Sequence, residues 1–358
     1  MPFTAGELTN IANAALDFYF AKGDSFKQTI QAKPLVDIME RKAKTFPGGK
    51  GDISLAVKGA FGAGGVNDTL RGYTHDDTVN FFTPANIRRA AYTWREMHIG
   101  LTLTHTELKI DGLSVTDTNG AGTSSHSQRE MHVLVGLLED KLQDLGEQYA
   151  RGLNALLWGD GVADAKAMAG IQALIVANPT TGIAGGINRA TTTWWRNRAR
   201  TAAHAAAGGT GAIVSSAANG GALVQVLQEE YRQLIRFGGK PDTILAGSDF
   251  IGAMEREMRA NGYYSQSGFR GTQDASMGGM QFMGQPVIYD PTLDDLSLSR
   301  RAYWLDTSKI MLFKMQNEWR RQHTPARPPN QFVLYRSITC TGQMAAAQMN
   351  CHGVYDVA

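Results

Sequence analysis

A single long amphipathic pattern between Ser127 and Trp158 dominates the chain. Apolar residues recur there at steps of three or four, which predicts one helix with one apolar stripe, formed by Met131, Leu134, Leu138, Leu142, Leu145, Tyr149, Leu153 and Leu156. Ser127 and Glu130 fit a capping box at the start of this helix, and Gly159 and Gly161 supply its end. About 32 residues at roughly 1.5 Å per residue predict a rod of about 48 Å. Because most helices have three or four turns, such a rod requires an extended partner elsewhere in the chain.

Two shorter amphipathic segments precede the long helix. Residues 3 to about 22 predict a first helix, and residues 34–44 predict a second, shorter one. Neither segment carries enough apolar residues to bury much surface by itself. We therefore expect both to belong to an arm that packs on another surface.

A long two-stranded hairpin is predicted after residue 47. Residues 53–57 alternate apolar with polar or small side chains, as a half-buried strand does. A glycine-rich tip at residues 59–65 and a return strand at residues 70–82 complete the hairpin. Because an isolated hairpin is marginally stable in water, it should lie against another surface. Residues 86–110 then predict one or two further strands.

Shorter helices and strands of mixed order fill the rest of the chain. The predicted elements are a helix at 223–237, a strand at 243–246, a helix at 250–259, and strands at 282–289, 302–305, 310–315, 331–341 and 343–349. Helices and strands do not alternate regularly, so the predicted class is α+β.

Length and charge limit the classes of protein that fit. The 358 residues suffice for two or three domains, and a formal net charge of +2 argues against general nucleic-acid binding. No apolar run reaches the length of about 20 residues that a membrane span needs. The first residues lack a basic region followed by an apolar stretch, so we expect no signal peptide. Cys340 and Cys351 match no metal spacing and are expected to be small buried hydrophobes, which fits a reducing cytoplasm.

No sequence pattern assembles a catalytic, cofactor or metal site. The phosphate-cradle, dinucleotide, nucleophile-elbow and zinc-protease motifs are all missing. His98 and His105 are an odd number of residues apart on one extended segment, so they face opposite sides and make poor co-ligands. The adjacent Asp76 and Asp77 are expected to be solvated. We therefore predict no catalytic residue, no cofactor and no metal ligand.

A run of aromatic and basic residues follows the long helix. Trp194 and Trp195 precede Arg196, Arg198 and Arg200, a mixture that is typical of proteins that bind single-stranded nucleic acid. The alternative, which we favour, is a pair of core or interface aromatics beside a solvated arginine run.

The order of these elements resembles that of the major capsid proteins of tailed bacteriophages with the HK97-type fold. The resemblance covers nearly the whole chain. Its best local matches are residues 158–160 (Trp-Gly-Asp) followed by 170–172 (Gly-Ile-Gln), 193–197 (Thr-Trp-Trp-Arg-Asn), 241–247 (Pro-Asp-Thr-Ile-Leu-Ala-Gly) and 282–288 (Phe-Met-Gly-Gln-Pro-Val-Ile). It implies an N-terminal arm (1–47), an extended E-loop hairpin (48–92), a peripheral domain (93–219) with a spine helix (127–158), an axial domain (220–312) and closing strands shared by both domains (313–358).

The resemblance implies a structural function without chemistry. Such proteins form hexamers and pentamers that close into an icosahedral shell around double-stranded DNA, and neighbouring subunits supply the cores that the arm and hairpin lack. The implied partners are further copies of the chain, a separate scaffolding protein, a portal, optionally a decoration protein, and DNA held without sequence specificity. We expect a separate scaffolding protein because no long segment precedes the arm. Assembly would take place in the host bacterial cytoplasm, and the product would be the virion capsid. The nearly neutral charge suits a lining that encloses DNA without strong, salt-dependent binding.

Some shells of this type are cross-linked between a lysine of the hairpin and an asparagine near the closing strands, with a glutamate nearby. Lys58 (or Lys50) and Asn330 are the corresponding candidates here. Residues 338–343 contain no glutamate, so we predict no autocatalytic cross-link.

Two other functions stay open. An encapsulin-type nanocompartment shares the fold and encloses enzyme cargo, although such shells commonly lack so long a hairpin. A soluble α+β enzyme with a site built from distant residues such as His98, His105 and Asp249 is the alternative from another class. The arm and hairpin argue against it because they have no evident partner within the chain.

Overall fold

A long helix and two large sheets dominate the computed structural model, which describes residues 3–4, 32–49, 51–59, 72–78, 81, 87–104, 106, 115–116, 128–215, 222–260, 280–323 and 333–358. The α-helices in these ranges are α1 (Pro34–Arg41), α2 (Gln128–Trp158), α3 (Ile171–Leu174), α4 (Ala202–Ala206), α5 (Ala222–Ile235), α6 (Ser248–Ala260) and α7 (Pro291–Asp295). The strands are β1 (Phe3–Thr4), β2 (Lys44–Phe46), β3 (Asp52–Lys58), β4 (Ile87–Thr93), β5 (Arg95–Thr104), β6 (Val115–Thr116), β7 (Ile183–Ala184), β8 (Ile187–Asn188), β9 (Arg198–Arg200), β10 (Thr243–Ala246), β11 (Gln281–Phe282), β12 (Gln285–Tyr289), β13 (Arg301–Leu305), β14 (Ile310–Met315), β15 (Arg321–His323), β16 (Val333–Ala346) and β17 (Gly353–Asp356).

Helix α2 is the long helix that the sequence predicts. In its second half, Leu145, Tyr149 and Leu153 are buried, whereas Asp144 and Arg151 are exposed. The predicted apolar stripe is therefore confirmed where side chains are described. The predicted capping box lies outside the described residues and side chains. None of the described helices is long and apolar enough to cross a membrane.

The sheet built around β16 is the extended partner that this helix requires. Strand β16 has 14 residues and pairs antiparallel with β5, β14 and β15, while β2 joins β14 in parallel. The sequence predicts two strands here, divided at Gly342, and this is wrong. A Cβ at Gly342 would lie 2.7 Å from the ring of Trp319 and 3.0 Å from the carbonyl oxygen of Phe313. Close packing, and not a break in the strand, therefore accounts for glycine at this position.

The six-stranded sheet lies between two apolar clusters. Its order is β11–β12–β10–β13–β17–β9, with β10–β12 and β17–β9 parallel and the other pairs antiparallel. Ile244 and Trp304 pack in the cluster under α5 and α6, whereas Leu245 and Tyr303 pack in the cluster that contains α2. All four residues of β10 are buried, as expected for a central strand covered on both faces.

The second predicted amphipathic segment is α1, and it packs within its own chain. Pro34 begins the helix, and Leu35, Val36 and Met39 are buried in the cluster that contains α2. The segment packs on another surface, as expected, but that surface belongs to its own chain, so the expectation that a neighbouring subunit supplies its core is wrong for α1. The first predicted helix, at residues 3–22, lies outside the described residues apart from strand β1.

The predicted hairpin exists, but its return strand is elsewhere. Strand β3 pairs antiparallel with β4, so the return strand begins at Ile87. The strand predicted at residues 70–82 is wrong for residues 72–78, which contain a turn in which the backbone N–H of Thr74 donates to Asp77 (2.8 Å). The rest of that range, apart from Phe81, lies outside the described residues. The apolar spacing there resembles a strand, yet Tyr73 and Phe81 are 72% and 91% exposed. Beyond Gly59, the predicted glycine-rich tip lies outside the described residues.

Two closing elements also differ from the prediction. The strand predicted at residues 282–289 is a tight hairpin, because Met283 and Gly284 have φ values of 50° and 79° and join β11 to β12. Positive φ at both central residues is typical of a type I′ turn. Strand β17 is missing from the prediction, since its four residues are too few to show a period.

Candidate functional site

The aromatic residues after α2 are fixed in the subunit. Trp195 is buried and donates its indole N–H to the carbonyl oxygen of Ala184 (3.0 Å). Trp194 is half-buried, meets Trp195 edge-on with ring centroids 5.8 Å apart, and covers Gly59 at the end of β3. Trp195 is therefore the core aromatic that the sequence favours, and Trp194 packs on the end of β3 that leads to the tip of the hairpin.

Glu230 on α5 binds two of the three arginines. Its carboxylate accepts hydrogen bonds from Nε and Nη2 of Arg198 (both 2.8 Å) and from Nε of Arg200 (3.0 Å). The hydroxyl of Tyr355 lies 3.5 Å away. These ion pairs join α5 to β9. The predicted solvated run is wrong for Arg200, which is half-buried, whereas Arg198 is paired with Glu230 and still exposed.

The two arginines keep Glu230 ionised. Burial by itself would raise the pKa of this carboxyl, but the hydrogen bonds and positive charges of Arg198 and Arg200 outweigh burial and hold the pKa below its usual value. The same hydrogen bonds raise the pKa of Arg198. At neutral pH the Glu230 carboxylate and the two guanidiniums are therefore charged, and their ion pairs hold helix α5 to strand β9.

The position of Glu230 in the sequence indicates these ion pairs, although it belongs to no known motif. Leu223, Leu227 and Leu234 form the buried stripe of α5, and Glu230 falls in the same stripe. A carboxylate in an apolar stripe requires a cationic partner. The partner's identity depends on the pairing of β9 with β17, which the sequence does not reveal.

An open cleft of 680 Å³ lies beside the ion pairs of Glu230, and Arg198 is part of its lining. We call it the Trp194 cleft and define it by Trp194, Arg196, Arg198, His204 and Phe237, which line it. Arg196 and Arg198 are its strong cations, and Trp194 and Phe237 are its aromatic walls. No aspartate or glutamate is among the described residues that line the cleft.

Arg196 is held in this cleft by the backbone. Its Nε donates to the carbonyl oxygen of Arg189 (2.7 Å), and its Nη2 donates to that of Ala190 (2.8 Å). The third arginine of the run is thus also not freely solvated. Both partners are backbone carbonyl oxygens, so no carboxylate is paired with this guanidinium among its described hydrogen bonds.

Buried polar contacts join the end of α2 to the six-stranded sheet. The indole N–H of Trp158 donates to Asp290 (3.0 Å), and the side-chain amide of Asn154 donates to the hydroxyl of Thr292 (2.6 Å). Burial raises the pKa of Asp290, although hydrogen bonds from Thr292 and Trp158 oppose the rise. These contacts fix the long helix to β12 and α7.

Ion pairs fix α1 in the same way. Nη2 of Arg320 lies 2.9 and 2.7 Å from the two carboxylate oxygens of Glu40. Lys42 donates to Asp242 (2.7 Å) and also contacts the hydroxyl of Thr307. These ion pairs attach the end of α1 to residues next to β15 and β10 of the same chain.

His352 is a neutral histidine in the core. It is fully buried, and its Nδ1 accepts the backbone N–H of Asp306 (3.1 Å), which places the proton on Nε2. Burial lowers the pKa of His352 to about 4.

Lowering the pH from 6.5 towards 4 should destabilise the fold through His352. The unfolded imidazole binds a proton near its ordinary pKa of 6.5, whereas the folded one does so only near 4. The unfolded state therefore binds more protons in this window, and stability falls as pH falls, by at most about 1.4 kcal/mol per pH unit. In a His352→Asn variant, whose amide oxygen can replace Nδ1 as acceptor, denaturation curves should lack this component. His98→Asn, at an exposed histidine, is the control and should keep it; identical pH profiles for wild type and His352→Asn would contradict the prediction.

The base of the hairpin is buried against the subunit, as expected for a hairpin that needs another surface. Ile53, Val57 and Ala90 are buried, and the hydroxyl of Tyr92 donates to the carbonyl oxygen of Ala346 (3.0 Å). The core at this end comes from the chain itself, which corrects the expectation that neighbours supply it. By contrast, Tyr73, Phe81 and Ile87 are strongly exposed.

The residues of the enzyme alternative are not brought together. His98 is exposed on β5, and Asp249 accepts a hydrogen bond from Ser299 (2.6 Å) at the start of α6. They line separate cavities, and His105 lies outside the described residues. Across the described ranges, no group of three or more histidine, cysteine, aspartate or glutamate residues could hold a metal ion.

The remaining residues that the sequence singles out are two aspartates, two cysteines and the candidates for a cross-link. Asp76 and Asp77 are exposed as predicted, and Cys340 and Cys351 are free and buried as predicted. Lys58 ends β3, whereas Lys50 and Asn330 lie outside the described residues.

Comparison with known proteins finds structural relatives only. No protein-family model and no curated protein sequence matches the chain. A chain of the cyanophage A-1(L) capsid asymmetric unit is 15% identical with a TM-score of 0.60, over 92% of this chain and 94% of that one. A chain of the capsid of an empty GTA particle is 11% identical with a TM-score of 0.52, over 93% and 99%. A chain of an encapsulin complex from Synechococcus elongatus PCC 7942 is 11% identical over 94% of both chains, but its TM-score of 0.42 is too low to bear on function.

These alignments establish the fold. The chain has the HK97-type α+β fold of phage capsid proteins, and the alignments with the first two relatives extend over more than nine-tenths of its length. The expectation for fold class is confirmed.

Proposed function

We propose that this chain is a major capsid protein that assembles as hexamers and pentamers into an icosahedral shell around double-stranded DNA. The observation that carries the proposal is the similarity to the cyanophage capsid chain over nearly the full length of both. In this proposal residues 1–47 form the arm, 48–92 the E-loop, 93–219 the peripheral domain, 220–312 the axial domain, and 313–358 the shared closing strands.

The distribution of apolar surface supports a subunit that needs neighbours. Tyr73, Phe81 and Ile87 are 72%, 91% and 65% exposed, although the base of the same hairpin is buried. Three such side chains on one segment fit an interaction site, and further exposed apolar side chains, such as Val162 and Ile183, lie elsewhere on the chain. We therefore assign this part of the hairpin to contacts between copies.

The proposed partners follow from this role. They are a separate scaffolding protein, a portal, optionally a decoration protein, and DNA without sequence specificity. A net charge of +2 agrees with loose enclosure of DNA, because many phosphate contacts would make binding tight and salt-dependent. The proposal assigns no catalysis to the chain.

Negative-stain electron microscopy of the expressed chain, alone and with its neighbouring reading frames, tests the proposal. Closed shells or free hexamer and pentamer rings support it, and a monodisperse monomer under both conditions refutes it. Nuclease-protected DNA in the shells identifies a virion, whereas protein cargo identifies a nanocompartment. Phe81→Asp should fold normally and assemble poorly, while Val162→Asp, at an 81% exposed residue outside the hairpin, should assemble.

Mature shells should carry no covalent cross-links between subunits. Residues 338–343 of β16 supply no glutamate to assist an isopeptide bond from Lys58, so a denaturing gel should show one band at the mass of the single chain, 38.8 kDa. A ladder of multiples that survives boiling in detergent and reductant would refute this prediction.

A further inference from the structure

We propose that the Trp194 cleft binds the phosphodiester backbone of DNA, so that each subunit makes one weak contact to the packaged molecule. The inference rests on the proposed function for the source of the DNA. Its physical basis is the charge, the anchoring and the walls of the cleft.

The cleft carries positive charge that its own surroundings do not neutralise. Glu230 is the acidic partner of Arg198, but it also pairs with Arg200, so one carboxylate serves two guanidiniums. Arg196 pairs only with carbonyl oxygens. With no carboxylate in the described lining, the cleft favours an anion.

Both guanidiniums are anchored along one edge and available along the other. Nε and Nη2 are the bound groups in each, whether to Glu230 in Arg198 or to backbone carbonyls in Arg196. The Nη1 groups make no hydrogen bond within the described part of the chain, and the side chain of Arg198 is 43% exposed. A guanidinium fork held in place loses little entropy when it binds a phosphate oxygen.

The walls favour a nucleic acid over a simple acidic side chain. Trp194 is half-buried and Phe237 is 61% exposed, so both present aromatic surface to the cleft. Aromatic faces beside arginines stack on bases where a strand is unpaired, so the walls add to the binding of unpaired DNA, whereas the arginines account for the contact to the duplex. A volume of 680 Å³ also exceeds what one carboxylate would fill.

Fluorescence anisotropy of the purified full-length chain with a labelled 20-base-pair duplex tests the inference. Two arginine–phosphate contacts predict that affinity falls about 12-fold between 50 and 200 mM salt, and about 3.5-fold after loss of one contact in Arg196→Gln. Arg232→Gln, an exposed arginine of α5 outside the cleft, removes the same charge and should behave like wild type. Phe237→Ala should weaken binding of a 12-nucleotide single strand more than binding of the duplex, because only unstacked bases reach the wall.

Competing ligands and an assembly assay distinguish a phosphate-binding cleft from the alternative explanations. Inorganic phosphate should displace the duplex, and a hexaglutamate peptide should not. Equal losses in Arg196→Gln and Arg232→Gln would overturn the inference in favour of diffuse charge, and displacement by hexaglutamate would make the cleft a dock for an acidic protein segment. Arg196→Gln must keep the wild-type circular dichroism spectrum, and Phe237→Ala tests the cleft independently if it does not. If the chain forms closed shells but Arg196→Gln does not change DNA binding, the DNA-binding cleft is refuted and the capsid function stands. If the chain stays a monomer but binds DNA through the cleft, the capsid function is refuted and the DNA-binding cleft stands.

Discussion

Glu230→Gln should lower the free energy of unfolding by about 3 kcal/mol, the low end of the range for breaking a buried ion pair. Glu230 is 1% exposed, and its neutral replacement would leave Arg198 and Arg200 without a counter-charge at the junction of α5 and the six-stranded sheet. The loss stays near the low end because the side chain of Arg198 is 43% exposed and can regain water. Urea denaturation at pH 7 measures it.

Glu229→Gln is the matched control for this prediction. Glu229 is its exposed neighbour on the same helix, so the same change should alter stability by less than about 0.5 kcal/mol. Acidification adds a second check. Because the folded pKa of Glu230 is lowered, its contribution is present above the ordinary glutamate pKa of 4.5 and is lost as pH falls below it. Equal stabilities of Glu230→Gln and Glu229→Gln at neutral pH would show that the ion pairs of Glu230 do not stabilise the fold.

Gly170→Ala should destabilise the subunit by a similar amount, about 3 kcal/mol, at the upper end for overpacking. A Cβ at this position would lie 2.3 Å from the carbonyl oxygens of both Leu156 and Leu157 and 2.5 Å from the carbonyl carbon of Leu157. These are backbone atoms at the end of α2, so no side-chain rotation can relieve the clash. The Gly170 N–H also donates to the carbonyl oxygen of Gly159 (3.1 Å), which prevents the loop from moving away without loss.

Gly152→Ala provides a control with the opposite sign. Gly152 lies inside α2, and a Cβ there meets nothing within 4 Å. The substitution should raise the free energy of unfolding by about 0.5–1 kcal/mol, because alanine restricts the unfolded chain and favours helix. Differential scanning calorimetry of the two variants should show shifts in opposite directions. A melting temperature for Gly170→Ala at or above that of wild type would contradict the packing argument.

The sequence predicts those parts of the fold in which one period governs a long segment. Helix α2 and the buried strand β10 have nearly the predicted bounds, since their patterns are sustained or flanked by strong turn signals. The failures have specific causes. Tyr73 and Phe81 have the apolar spacing of a strand, but both side chains are exposed. Gly342 suggests a break between two strands, but it lies within one strand where Trp319 leaves no room for a side chain. Strand β3 pairs with β4 instead, and Trp319 packs against Gly342, so both outcomes depend on contacts between parts of the chain that are distant in sequence.

The site is less predictable for the same reason. The run from Trp194 to Arg200 is visible in the sequence, but its charge depends on Glu230, which lies 30 residues from Arg200 along the chain. The pairing of β9 with β17 brings Tyr355 to the same carboxylate. Composition alone therefore predicts three solvated arginines, whereas the fold leaves one carboxylate shared between two of them.

Helix α2 and strand β16 have nearly the same length, and this has a mechanical consequence. The 31 residues of α2 and the 14 residues of β16 each extend roughly 46 Å. The second half of the helix packs on the β5–β16 pair, so bending either element there would separate buried side chains such as Tyr149, Leu153 and Ile338. If copies of this chain form the proposed shell, we expect its curvature to be set by the angles between neighbouring subunits, because bending within this part of a subunit would expose buried side chains.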